Sequence, residues 1–166
     1  ASVKVNDIKG RYFSSVADAS HFAECKGIIK VLNCAHTGQG DDFINVHGTS
    51  VKIMKILSDS TLEVSALGKG NGSSIVVGDE YWFINIDSGQ RGETRFVKSK
   101  KNIYLENKHI GYAVTFSGKL PKSLKAGDFL ECKTWTAGLE IRNCRILKQN
   151  RARGILVTTP KTVIIE

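Results

Sequence analysis

Ile29-Lys30-Val31-Leu32-Asn33-Cys34, near the start of the chain, is echoed near its end by Leu139-Glu140-Ile141-Arg142-Asn143-Cys144. Each copy spaces apolar residues two apart, the period of a strand, and closes on an Asn-Cys turn. A polar gap and a second strand follow in both, Phe43-Ile44-Asn45-Val46 in the first and Gly154-Ile155-Leu156-Val157 in the second. A threonine-bearing turn then leads to Val51-Lys52-Ile53 or Val163-Ile164-Ile165. A weaker, earlier copy runs from Val3-Lys4-Val5 through Asp18-Ala19-Ser20-His21-Phe22 and sets Asp18 about one coil of a parallel β-solenoid ahead of Asp41. The pattern predicts an all-β chain with a right-handed parallel β-helix of a few coils over residues 1–50 and 135–166. Asn33 then stacks on Asn143 as an asparagine ladder and Cys34 packs on Cys144 as a small apolar group, a disulfide being the rival reading.

Between the copies the texture changes. Val51-Lys52-Ile53-Met54-Lys55-Ile56-Leu57 alternates, turns at Ser58-Asp59-Ser60 and resumes with Thr61-Leu62-Glu63-Val64, as a hairpin does. Two matching turns, Val77-Gly78-Asp79 and Ala126-Gly127-Asp128, each lead into an apolar strand. No helical periodicity appears, and the stretch 51–134 predicts a small antiparallel β-barrel inserted into the solenoid. The loop Gly68-Lys69-Gly70-Asn71-Gly72 lacks the Gly-Lys-Ser/Thr ending of a phosphate loop and reads as a flexible hairpin connection.

The 166 residues, 41% hydrophobic and 24% charged, suffice for one sizeable core or two small ones and argue against disorder. Sixteen glycines against two prolines, with Val, Ile and Leu in short runs, fit a β-rich chain. The net charge of +8 suits a polyanion-binding surface, but the basic residues are scattered, the densest run being Lys98-Ser99-Lys100-Lys101, so nucleic acid is not the expected partner. No Cys-x-x-Cys pair marks a zinc or redox site, and no apolar run approaches the roughly 18 to 20 residues of a membrane helix. The first residue is Ala1, which suggests a processed product or an excised piece of a longer chain.

The chemistry concentrates in Gly40-Asp41-Asp42-Phe43-Ile44-Asn45-Val46-His47-Gly48-Thr49. Adjacent acids repel and, in a strand, point to opposite faces, so each needs its own partner or a cleft that uses it. If consecutive coils stack, Asp18 joins Asp41 and Asp42 on one face. Crowded carboxyls divide into one that keeps its proton and one that loses it, the combination glycoside hydrolysis requires. Arg151 and Arg153 follow the second Asn-Cys turn as the aspartates follow the first, and either can face a carboxylate or donate to sugar hydroxyls. Asn45, His47 and His21 share the neighbourhood. For His47 a substrate contact and a structural role stand open, whereas for His21 the structural role is favoured. Asp41 and Asp42 can equally be turn caps or calcium ligands.

Three segments read together, Asp18–Phe22, Gly40–Thr49 and Asn150-Arg151-Ala152-Arg153-Gly154-Ile155-Leu156-Val157-Thr158-Thr159-Pro160, resemble glycoside hydrolase family 110, the α-1,3-galactosidases. That resemblance implies a β-helix with inserted barrel domains and an exo-acting hydrolase that removes terminal α-1,3-linked galactose, as on blood group B glycans, with inversion. It places the family's active-site aspartates on Asp18, Asp41 and Asp42, with substrate contacts expected from Asn45, His47, Arg151 and Arg153. It requires no cofactor and no metal, implies a galactose-terminated glycan as partner and neither nucleic acid nor membrane, and suggests a secreted or periplasmic setting. Family members are much longer, so the chain reads as a possible fragment, with exposed β-helix ends through which copies can self-associate. A non-catalytic carbohydrate-binding or adhesive module is the second reading. A basic barrel that binds nucleic acid or acidic glycans is the third.

Overall fold

The computed structural model describes residues 14–66, 75–147 and 152–166. The Val3-Lys4-Val5 strand, the Gly68–Gly72 loop and Arg151 lie outside the described residues. The chain divides into two compact units, Ala1–Gly48 with Thr136–Glu166, and Thr49–Trp135.

The first unit contains β1 (Ser20–Ala23), β2 (Ile28–Leu32), β3 (Ala35–His36) and β4 (Ile44–His47). The second holds β5 (Ser50–Ile56), β6 (Thr61–Ser65), β7 (Glu80–Ile84), β8 (Arg91–Leu105), β9 (Lys108–Phe116) and β10 (Phe129–Cys132). The first resumes with β11 (Gly138–Arg142), β12 (Arg145–Ile146), β13 (Ile155–Thr158) and β14 (Val163–Ile165).

Among the described residues the strands of the first unit pair in parallel, in the orders β1-β4-β13, β14-β11-β2 and β12-β3. The echoed segments lie side by side, Leu139 opposite Ile29 and Ile141 opposite Val31. Alternation sends Val31, Leu139 and Ile141 into a core with Phe43, Ile44 and Val46. Ile44 and Leu139 are fully buried, each worth about 1.5–3 kcal/mol of transfer free energy. On the opposite face Glu140 meets Lys30 at 3.0 Å and Arg142 at 2.6 Å. Both strands end on an asparagine in the left-handed region, Asn33 at φ 54° and Asn143 at φ 50°, a conformation asparagine tolerates better than most residues. Asn143 Nδ2 donates to Asn33 Oδ1 at 2.7 Å. Cys34 and Cys144 are free thiols packed against the same core, so the disulfide reading does not hold.

The second unit is antiparallel, in the order β10-β5-β6-β9-β8-β7, with β10 paired to both β5 and β7. Its two Gly-Asp turns bury their aspartates by satisfying them. Trp135 Nε1 donates to Asp79 at 2.8 Å, while the amides of Ile86 and Lys125 donate to Asp128 at 3.0 Å each. Leu62, Val64, Ile75, Val114 and Leu130 form its core with Tyr81 and Phe116.

The expected right-handed parallel β-helix is corrected to an all-β fold with small parallel sheets in the first unit, while the antiparallel sheet of the second unit runs from β10 through β5, β6, β9 and β8 to β7 and back to β10. Among the described residues the parallel strands are two to five residues long and number at most three per sheet, too few to make a continuous solenoid wall. The supposed equivalence of Val51-Lys52-Ile53 with Val163-Ile164-Ile165 also fails. Val51 and Ile53 alternate into the antiparallel core on β5, whereas β14 runs parallel to β11.

Asn143→Ala removes the asparagine hydrogen bond and puts a less tolerant residue at positive φ, and is expected to destabilise the chain by about 1–2 kcal/mol in urea unfolding. Asn143→Gly, which relieves the backbone, is expected to cost less. The hydrogen bond of Arg142, then that of Lys30, holds the Glu140 carboxyl below its ordinary value of 4.5. Its contribution is present above that unfolded value and is lost as pH falls through the lower folded one. Glu140→Gln is therefore expected to show a smaller drop in thermal midpoint than the parent chain between about pH 5 and about pH 2.

Candidate functional site

The site begins with a close backbone approach. Gly40 donates its amide to Ser15 O at 2.7 Å, and a Cβ at Gly40 would sit 2.7 Å from that oxygen and 2.9 Å from Val16 Cα. Only glycine lets the two segments come this near. The pairing continues as Ala19 and Ser20 donate to the carbonyls of Asp42 and Phe43, then as β1 against β4 with Ser20 opposite Ile44 and His21 opposite Asn45.

That register sets Asp18 against Asp42, 24 residues on, one position beyond the expected match with Asp41. Asp18 Oδ1 accepts the Asp42 amide at 3.1 Å, and Oδ2 accepts Asn45 Nδ2 at 3.0 Å with His21 Nδ1 also at 3.0 Å. Asp41 Oδ1 shares the Asp42 amide at 3.1 Å. Asp42 is 1% exposed and takes three donors from Arg153, the backbone amide at 2.8 Å and Nε and Nη2 at 3.2 Å each. A buried carboxylate is tolerable only with such partners, and a guanidinium supplies both charge and fork geometry.

One oxygen from each of Asp18, Asp41 and Asp42 lies within 4.8 Å of the others. They line a hollow of about 380 Å³ with Ala17, His21, Asn45 and Arg153, within the range of about 300–1,000 Å³ usual for small-molecule sites. Both oxygens of Asp18 and of Asp42 accept protein donors. A smaller hollow of about 240 Å³ in the second unit includes Glu93 and Asp128, which serve Arg95 and backbone amides.

Three segments distant in sequence thus deliver three acids and a cation to one opening. No protein-family model matches the chain. It is 34% identical over 168 residues to alpha-1,3-galactosidase B of Akkermansia muciniphila, a match covering 99% of this chain and 20% of that protein. Against alpha-1,3-galactosidase B of Bacteroides thetaiotaomicron the identity is 35% over 163 residues, covering 97% and 26% respectively. The chain is homologous to α-1,3-galactosidases. Alpha-1,3-galactosidase A of Bacteroides fragilis is 32% identical over 160 residues, covering 95% and 26%. The chain therefore spans a fifth to about a quarter of the length of the curated relatives it matches.

Of the residues singled out in the sequence, Asp18, Asp41, Asp42, Asn45 and Arg153 line the hollow. His47 reaches it through His21, at 2.7 Å between Nε2 atoms, and Arg151 lies outside the described residues. Two features carried more weight than the sequence suggested. His21 binds Asp18, a contact legible in the Asp-x-x-His spacing that opens β1. Gly40 is the contact point of the two segments, signalled by its place directly before the acid pair.

Gly40→Ala is expected to force residues 15–16 away, separate Asp18 from Asp42 and lower stability by about 2 kcal/mol in urea unfolding, the size of other steric changes at close backbone contacts.

Proposed function

We propose that the chain carries the catalytic acids of an exo-acting glycoside hydrolase that removes terminal α-1,3-linked galactose. The observation that carries this reading is the gathering of Asp18, Asp41 and Asp42 within 4.8 Å at one hollow, in a chain homologous to α-1,3-galactosidases. One carboxyl protonates the departing glycosidic oxygen while another takes a proton from the attacking water, Asp41 and Asp42 sharing these roles. Asp18, held at both oxygens, orients the pair through the Asp42 amide. Asn45 and Arg153 are the proposed sugar contacts from the described residues, and His47 acts on the site through His21.

Inversion is the proposed outcome. It asks for working carboxyls about 6.5–9.5 Å apart, more than the 4.8 Å that bounds one oxygen of each acid here, so it rests on the family resemblance and is decided by the anomer first released.

A second reading is a carbohydrate-binding module that keeps the hollow without turnover, favoured by the protein donors that already hold both oxygens of Asp18 and of Asp42. Incubation with a Gal-α-1,3-Gal oligosaccharide, followed by NMR of the released sugar, separates the two. Hydrolysis with inversion releases β-galactose first, and Asp41→Asn and Asp42→Asn each lower the rate by about 10²-fold or more. Release of α-galactose overturns inversion, and binding without release supports the module.

A further inference from the structure

His21 on β1 and His47 on β4 touch each other at the side of the acid cluster. Their Nε2 atoms are 2.7 Å apart, and the rings meet edge to face with centroids 4.9 Å apart. At one end of the pair His21 Nδ1 lies 3.0 Å from Asp18 Oδ2. At the other, His47 Nδ1 lies 2.7 Å from the Gly48 carbonyl oxygen.

The proton count follows from what each atom can do. A carbonyl oxygen only accepts, so His47 Nδ1 carries a proton. Two ring nitrogens at 2.7 Å need one proton between them, because none leaves two lone pairs opposed and two set N–H against N–H. The contact between His21 Nδ1 and Asp18 needs another. These three bonds take three protons, and two neutral imidazoles bring two.

We propose that Asp18, His21 and His47 hold three protons in common, as a singly charged imidazole pair against the Asp18 carboxylate, and that the two histidines are positioning residues for Asp18. Among the described residues, the charged groups that line the hollow with His21 are Asp18, Asp41, Asp42 and Arg153. When the extra proton passes from His21 Nδ1 to Asp18 Oδ2, the carboxyl O–H donates back to the same nitrogen. His21 keeps its Nε2 proton, His47 keeps its Nδ1 proton, and every hydrogen bond survives. Asp18 can thus gain or lose a proton without moving. The benefit to catalysis rests on the hydrolase reading above, whereas the proton count does not.

The direct test is long-range ¹H–¹⁵N NMR of the imidazoles in the whole chain at neutral pH, with the ¹³C shift of the Asp18 carboxyl. The expected result is an Nδ1-protonated His47 and three protons over the three side chains. An Nε2-only tautomer of His47, or two neutral rings beside an ionised Asp18, overturns the proposal. His47→Phe keeps the ring contact but removes its nitrogens, and is expected to lower kcat about tenfold with KM within about twofold. An equal change in both constants, or in neither, overturns the positioning role. Three protons in a chain that hydrolyses nothing would remove the hydrolase reading and leave the proton count standing, and hydrolysis with only two protons does the reverse.

Discussion

The hydrogen bond from the Asp42 amide to the Asp18 carboxylate is the point on which the site depends. It exists because β1 and β4 pair in parallel with Ser20 opposite Ile44, and a shift of one residue would send every β1 side chain to the opposite face. Gly40 lets the two segments converge just ahead of that pairing, and Ile44 and Val46, buried beneath it, oppose slippage. The site is thus fixed by packing under the strands as much as by the polar groups above them.

Burial divides the three acids. Asp42 keeps 1% of its surface exposed where it lines the hollow and is balanced by Arg153, a charged partner from the distant segment before β13. Asp18 is nearly buried and held through both oxygens, so its carboxylate orients others rather than sampling solvent. The pairing of β13 with β4 brings Arg153 to this place, so the hollow is complete only when the chain on both sides of the Thr49–Trp135 unit has come together. The opening is a property of the tertiary fold, assembled from segments that are apart in sequence.

The repeated Ile29–Cys34 and Leu139–Cys144 segments were legible because a strand's apolar alternation and its terminal asparagine are local signals, and β2 and β11 pair residue for residue as they align. The Asn33–Asn143 contact follows from that alignment. The third supposed match, Val51–Ile53 with Val163–Ile165, shows the limit. Alternation of Val and Ile reads alike in parallel and antiparallel strands, and only long-range pairing separates β5 from β14. For the same reason three short parallel sheets looked like a continuous solenoid. The meeting of Asp18 with the acid pair was legible from spacing to within one residue. The contact of His21 with Asp18 follows from their local spacing, whereas the close approach at Gly40 depends on which backbone lies opposite.

The most direct measurement is a trans-hydrogen-bond scalar coupling between the Asp42 amide nitrogen and the Asp18 side-chain carboxyl carbon, recorded with the exchange rate of that amide. The account predicts a resolved coupling and an amide strongly protected from solvent. A coupling to another acceptor, or an Asp42 amide that exchanges as fast as an exposed one, would contradict it.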